Sequence, residues 1–365
     1  MKLVHVASYK DEFFNGIKSV LIDLVPEQRK LGHEVYVFNQ EYNDKEIISG
    51  ERYIATNKEF VKAIDEICPD FVIFHSLYGL SDVRFSWYLN KKHIPYLVEP
   101  HGGTSMENAK KNWLKKKIAN LLYANRFICK AAGIIYLNGK EADECVFKSI
   151  RKNDAIVPNG THEHNRNYKR HNDKKVRFIF LARIDIIQKG LDLLFPAIEI
   201  FNNEGLKEKA EFHFYGKARN KLYEQQFEDY ISKSADNVFF HGPVTGTDKE
   251  RAFLDADIFI LPSRYEGMPM AVLEALSYGI PCLLSQQTNV ADIVENNRCG
   301  WITDVSVNGI VECLKHSIED YNTNAESLIA NALNVSKEFS WSNIASKSII
   351  EYSRIIGKSP NTEKK

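Results

Sequence analysis

Short runs of β-branched and aromatic residues recur along this chain, each closed by turn formers and followed by apolar residues at helical spacing. KLVHVAS, EVYVFNQ, DFVIFHS, PYLVEP and GIIYLN fill the first 150 or so residues, and VRFIFLARI, AEFHFYG, NVFFHG, ADIFILPS and IPCLLS follow from residue 176. A strand buried on both faces needs such unbroken apolar runs, and their alternation with helices is the grammar of a parallel sheet. Between the two sets, Asn159 to Lys175 (NGTHEHNRNYKRHNDKK) is nearly free of apolar residues and reads as a linker or exposed loop. The pattern predicts an α/β protein of two Rossmann-like parallel-sheet domains, 1–165 and 176–335. Residues 325–356 read as terminal helices, the last of them, 336–357, crossing back to the first domain.

Composition excludes several classes. A chain of 365 residues is long for one core, and 44% hydrophobic with 12% aromatic residues is enough to fill two. The formal net charge is +0, which argues against a general nucleic-acid binder, because phosphate backbones reward excess Lys and Arg. Six scattered cysteines without a CxxC pair suit buried free thiols in a reducing cytoplasm. MKLVHVAS reads as a first strand rather than a signal peptide, and no run of about 18 apolar residues is present to span a bilayer.

Ligands of open parallel sheets bind at the carboxyl ends of strands, so polar residues placed just after strands are the candidates. Gly16 follows the first strand and precedes a helical run, where a glycine lets backbone approach a ligand. His101, in EPHGGTS, follows the strand PYLVEP and offers an imidazole as a hydrogen-bond donor; a capping histidine is the bland alternative. In FLARIDIIQKGLDLL, Arg183 follows a strand and Lys189 precedes the helix that Gly190 opens, and two fixed cations there suit a diphosphate. In PSRYEGMPMAVLEALSYGIP, Glu266 lies on a turn and Glu274 comes after seven intervening residues, on a helix begun near Pro269 and stopped near Gly279. His162 and His164 read as a solvated loop, and His213 and His241 as buried strand histidines.

Arg183 with Lys189, the two glutamates with their long flanks, HFYGKA, VFFHGPV and CGWI together resemble the retaining GT-B glycosyltransferases of family 4 (glycosyl transferases group 1). The resemblance is close over 176–304 and weaker over 1–160, where it rests on NGI, EPHGG and VPNG. It implies two domains facing across a cleft, with an acceptor domain first and a nucleotide-sugar donor domain second. It implies that Glu266 meets hydroxyls of the transferred sugar and Glu274 the ribose, since a carboxylate accepts from two adjacent hydroxyls. Main-chain groups of Gly267, Met268, Met270 and Ala271 would serve the sugar and diphosphate. Gly216, Gly242 and Val244 would border the base, His101 the sugar, and Gly16 the diphosphate, though this chain has Asn15 and Gly16 where many members have two glycines.

The implied activity is retaining transfer of a hexose-type sugar, from a UDP-sugar ahead of a GDP-sugar, to a saccharide or lipid-linked acceptor in surface polysaccharide or lipopolysaccharide assembly. No cofactor or metal is expected, because Arg183, Lys189 and helix N-termini supply the charge at the leaving diphosphate. The segment 106–128 sets Leu114, Ile118, Leu121 and Leu122 on one stripe with lysines around it. That arrangement suits either peripheral contact with the inner face of an anionic membrane or a helix packed on its own domain. A non-catalytic nucleotide-sugar binder is the alternative; a dinucleotide-dependent oxidoreductase is disfavoured by the missing GxGxxG.

Overall fold

The computed structural model describes residues 1–11, 16–102, 117, 119–147, 153–164 and 175–358. Asn15, most of the linker and most of the basic segment, including Lys110, Lys111, Trp113, Leu114, Lys115, Lys116 and Ile118, lie outside them. Met1–Gly160 together with the segment from Trp341 form one compact unit, and Thr161–Ser340 form another.

The first unit holds a parallel sheet of seven strands: β1 (Lys2–Ala7), β2 (Glu34–Asn39), β3 (Glu51–Tyr53), β4 (Phe71–Phe74), β5 (Tyr96–Val98), β6 (Gly133–Tyr136) and β7 (Asp154–Ile156), in the order β3-β2-β1-β4-β5-β6-β7. Its helices are α1 (Gly16–Lys30), α2 (Asn57–Ile67), α3 (Leu80–Lys91), α4 (Asn125–Lys130) and α5 (Gly139–Asp143). Val4, Val6, Phe38, Val72, Phe74 and Val98 meet Phe60, Ile64, Phe85 and Phe127 in one buried cluster. There the Phe60 and Phe85 rings stack at 4.1 Å between centroids. Apolar strands covered by helices are stabilised mainly by area removed from water, about 25 cal/mol per Å².

The second unit has six parallel strands: β8 (Val176–Leu181), β9 (Ala210–Tyr215), β10 (Val238–Phe240), β11 (Ile258–Leu261), β12 (Cys282–Ser285) and β13 (Gly300–Thr303), in the order β10-β9-β8-β11-β12-β13. Helices α6 (Leu191–Phe201), α7 (Lys221–Lys233), α8 (Gly246–Leu254), α9 (Met270–Ser277), α10 (Ala291–Asn296) and α11 (Val307–Glu338) belong to it, and α12 (Trp341–Ile356) belongs to the first unit. Strand order reverses between β1 and β4 and again between β8 and β11, so each unit has a switch point where loops diverge.

The edge strands β3, β7 and β13 carry too few apolar residues in sequence to announce themselves. A helix begins at Val307 behind the N-cap Ser306 and breaks at the non-helical Asn324, so the helix expected from 325 starts at this kink. Leu122, expected on a continuous apolar stripe, is 71% exposed. A π-helical turn over Asn120–Ala124 precedes α4 and rotates the face that a regular period would present.

Gly190 fixes the geometry that matters most for the second unit. Its φ is +69°, and a Cβ added there would lie 2.1 Å from the Pro262 carbonyl oxygen. Gly205, at φ +81°, has open space around it. Gly190→Ala should therefore add overpacking to backbone strain, each about 1–3 kcal/mol, while Gly205→Ala bears the strain alone. Equal losses in denaturant unfolding would contradict the close approach.

Candidate functional site

In the second unit the loop after β8 and the loop after β11 leave neighbouring strands and are fastened to each other. Arg264 N donates to the Gln188 carbonyl at 2.8 Å, and Gln188 Nε2 to the Tyr265 carbonyl at 3.4 Å. The Arg264 guanidinium grips both Asp192 carboxylate oxygens at 2.6 and 2.7 Å, a fork that holds α6 to the second loop. Buried Asp185 shapes the first loop by accepting from Gln188 N at 3.1 Å and from Arg219 at 3.0 Å.

This fastening brings Lys189 onto Glu266, Nζ to Oε1 at 2.5 Å, with only 10% and 9% of the side chains accessible. Ser263 Oγ donates to the same carboxylate oxygen at 2.7 Å. Glu274, on α9, pairs with Lys249 of α8 at 2.5 Å. The two glutamates thus each hold a lysine, and only one of these lysines was singled out in the sequence. Lys249 lies in VTGTDKERAF with no neighbour marking it, and only the folding of α8 beside α9 reveals it.

Arg183 stands just beyond β8, and its Nε is buried without a hydrogen-bond partner among the described residues. A buried guanidinium nitrogen left unsatisfied is costly, and an anionic ligand relieves it. Met270 and Ala271 begin α9 behind Pro269, where backbone amides have no helical carbonyl to bond, and Gly267 and Met268 precede them. Gly216 N donates to the Gly242 carbonyl at 3.0 Å, tying the ends of β9 and β10 together. A Cβ at Gly216 would meet the Ala182 carbonyl oxygen at 2.0 Å. Val244 follows, half-buried. His164 is half-buried rather than solvated, its ring stacked on Tyr278 at 3.9 Å, because the linker's first residues pack along the end of α9. His213 and His241 pair at 3.0 Å on the surface side of β9 and β10, and neither is fully buried.

His101 and Gly16 belong to the first unit. Gly16 opens α1, and beyond its chain neighbours and its own helix no described residue comes within 4 Å of where its Cβ would be. His101 sits just after β5 at a left-handed φ of 46°. Its Nε2 lies 2.8 Å from His75 Nδ1, and His75 Nε2 lies 2.7 Å from His5 Nδ1. Glu99 stands 3.7 Å from His75 and 3.8 Å from His101. Next door, Gly102 N donates to buried Glu141 at 2.7 Å. Sequence reasoning missed His5, His75 and Glu99; the available signal was a polar residue inside or closing an apolar strand run.

His75, Glu99 and His101 offer ligand atoms within 4.8 Å of one another. Two imidazole nitrogens on one tetrahedral zinc would stand about 3.3 Å apart, given bonds of ~2.0–2.1 Å. These stand 2.8 Å apart, the spacing of a hydrogen bond.

Burial is the leading cause that pushes His5 and His101 down to about 4 and His75 well below its ordinary value. Burial, then Glu141, pushes Glu99 up to about 8.

Comparison with known proteins places the chain in a class. A Klebsiella pneumoniae protein described as an uncharacterized 41.2 kDa protein in the cps region is 26% identical over 274 residues, 71% of this chain and 72% of that protein. An Escherichia coli UDP-Gal:alpha-D-GlcNAc-diphosphoundecaprenol alpha-1,3-galactosyltransferase is 32% identical over 88 residues, 22% of this chain and 23% of its own. The structure of Anabaena Alr3699/HepE in complex with UDP superposes with a TM-score of 0.74 at 15% identity, covering 97% of this chain and 100% of that one. The fold is that of GT-B glycosyltransferases, and the chain is a glycosyltransferase. The model of the glycosyl transferases group 1 family matches residues 161–335, nearly the whole of the second unit.

The low histidine values carry a sign. Unfolding exposes imidazoles that take up protons below their ordinary 6.5, so their contribution to stability is lost as pH falls from 6.5 toward about 4. Each contributes a slope of about 1.4 kcal/mol per pH unit in that window. Glu99 acts in the opposite sense, its contribution present below 4.5 and lost as pH rises through about 8. The His101→Gln chain should lose stability less steeply than wild type between these limits. Parallel curves from denaturant unfolding would contradict a neutral buried His101.

Proposed function

We propose that this glycosyltransferase moves a hexose-type sugar from a UDP-sugar to a saccharide or lipid-linked saccharide acceptor with retention, without a metal, in surface polysaccharide or lipopolysaccharide assembly. The observation that carries this reading is the buried Nε of Arg183, unsatisfied among the described residues, on the same strand-end loop as Lys189, which pairs with Glu266 of the neighbouring loop. UDP in the Anabaena protein and the UDP-Gal and diphosphoundecaprenol in the Escherichia coli name support the donor and acceptor classes.

Departure of the diphosphate breaks the bond from the anomeric carbon, and the electron pair goes to the phosphate oxygen. Arg183 and Lys189 offset that charge where it develops, a preorganised arrangement more effective than water. Lys189 has three donors and gives one to Glu266, so two remain for phosphate oxygens. Glu266 keeps a second oxygen for sugar hydroxyls, and Glu274 shares its carboxylate between Lys249 and the ribose. The acceptor oxygen bonds the anomeric carbon on the face the diphosphate leaves, and its proton passes to the departing phosphate.

Arg183→Met removes an unsatisfied donor, so its melting temperature should not fall, while UDP-induced stabilisation is lost. A UDP thermal shift equal to wild type would remove Arg183 from the site. Lys189→Met should lower transfer by on the order of 100-fold or more. Donor binding with no transfer and no donor hydrolysis by the wild-type chain would favour a non-catalytic binder instead.

Peripheral contact with an anionic membrane has its own support in the first unit. A hollow of about 780 Å³ between α3 and α4 is lined by Trp87, Leu122, Lys91, Arg126 and Lys130 among others, with no carboxylate among the described residues of its lining. Trp87 is 61% exposed and Leu122 71%. Apolar side chains rimmed by cations suit the headgroup region, each cation contributing about 1 kcal/mol. Among the described residues no helix is long and apolar enough to cross a membrane. Arg126→Glu should weaken co-sedimentation with phosphatidylglycerol vesicles by about 10-fold or more. Binding that persists unchanged, or that matches binding to neutral vesicles, would refute the contact.

A further inference from the structure

A line of buried side chains leads from His101 through the first unit to the last helix. The Ala345 carbonyl of α12 accepts from Ser348 Oγ at 2.7 Å. With its proton so placed, Ser348 presents a lone pair to Gln28 Nε2, 2.9 Å away on α1. The amide oxygen of Gln28 then faces His5 Nε2 at 2.9 Å. An amide oxygen only accepts, so neutral His5 carries its proton on Nε2 and has a bare Nδ1. His75 must donate from Nε2 to that bare nitrogen, leaving its own Nδ1 bare, and His101 must donate from Nε2 to His75. Ser348, Gln28 and His5 are 0% exposed and His75 1%, so no water interrupts the sequence or reverses it.

We infer that Gln28 and Ser348, acting through His5 and His75, are positioning residues that fix His101 as the tautomer with Nε2 protonated and Nδ1 bare. The imidazole expected from sequence to donate is then an acceptor toward the substrate. The ring has 11% of its side chain accessible, and Nδ1 has no hydrogen bond among the described residues. A bare Nδ1 accepts from a sugar hydroxyl, and the negative end of the ring dipole suits an anomeric carbon that becomes cationic. The left-handed backbone at His101 and the grip of Glu141 on Gly102 hold the ring in place from the other side. Glu99, kept protonated at neutral pH by burial, supplies no charge to draw the proton to His75 Nδ1. Two histidines, an amide and a hydroxyl do here what a single carboxylate or carbonyl does for an oriented imidazole elsewhere.

The role of His101 at the substrate rests on the proposed function; the tautomer does not. In the full chain with 15N-labelled histidine, the His101 Nδ1 resonance should be that of an unprotonated nitrogen and Nε2 that of N–H; the reverse assignment overturns the inference. Gln28→Leu removes the acceptor of His5 and should convert His101 to a mixture of tautomers. It should lower kcat by about 10-fold or more with the donor KM nearly unchanged, the range for losing an orienting partner. Gln28→Glu keeps an acceptor oxygen toward His5 and should restore the wild-type ring resonances. Ser348→Ala serves if Gln28→Leu does not fold, and should give a mixed His101 signal. A wild-type His101 signal in both Gln28→Leu and Ser348→Ala, or one equally disturbed by Gln28→Glu, would reduce these residues to packing. Full activity in His101→Ala would instead remove His101 from the reaction and leave the tautomer result standing.

Discussion

The contact between Gly190 and the Pro262 carbonyl governs the second unit's chemistry. Only a residue without a Cβ permits the loop after β8 to press against the loop after β11, and everything polar at this strand edge follows from that approach. Lys189 is the residue immediately before the glycine and Glu266 lies four beyond the proline, so closing the backbone gap closes the charge gap as well. Gln188, Arg264 and Asp192 add hydrogen bonds that prevent the two loops from separating. Because the loops come from the two strands flanking the reversal of strand order, the closure occurs where helices diverge and leave room for a ligand.

Charge at this edge is arranged so that ligand binding completes it. Each glutamate is already paired with a lysine, Lys189–Glu266 almost out of solvent and Lys249–Glu274 part-buried. Arg183 has no such compensation at Nε. The diphosphate proposed above would satisfy that buried donor and take up the donors that Lys189 does not give to Glu266. The same logic makes a neutral ligand a poor fit.

The first unit handles buried polarity differently. Around His101 burial keeps the imidazoles uncharged, and direction rather than charge is what the network carries. A directional line of hydrogen bonds can span from α12 to the end of β5 because every member behind His101 is shielded from water, which would otherwise supply donors and acceptors of either sense. The last helix is thus more than a cover for the sheet: through Ser348 it belongs to the same polar network as His101.

The sequence by itself determined two parallel-sheet units and most of their strands, because burial on both faces demands unbroken apolar runs that nothing else in a chain this polar requires. It also marked Arg183, Lys189, Glu266 and Glu274, since strand-end positions and glycine or proline flanks are local signals. Edge strands β3, β7 and β13 escaped because half-exposed strands need no apolar run, and the π turn at Asn120 escaped because one added residue leaves composition untouched. Only the tertiary structure decided which partners these residues hold: Lys249 for Glu274, none among the described residues for Arg183 Nε, and His5, His75, Gln28 and Ser348 behind His101. Such contacts join residues tens to hundreds of positions apart, and a pairing set by strand order and helix packing has no trace in local spacing.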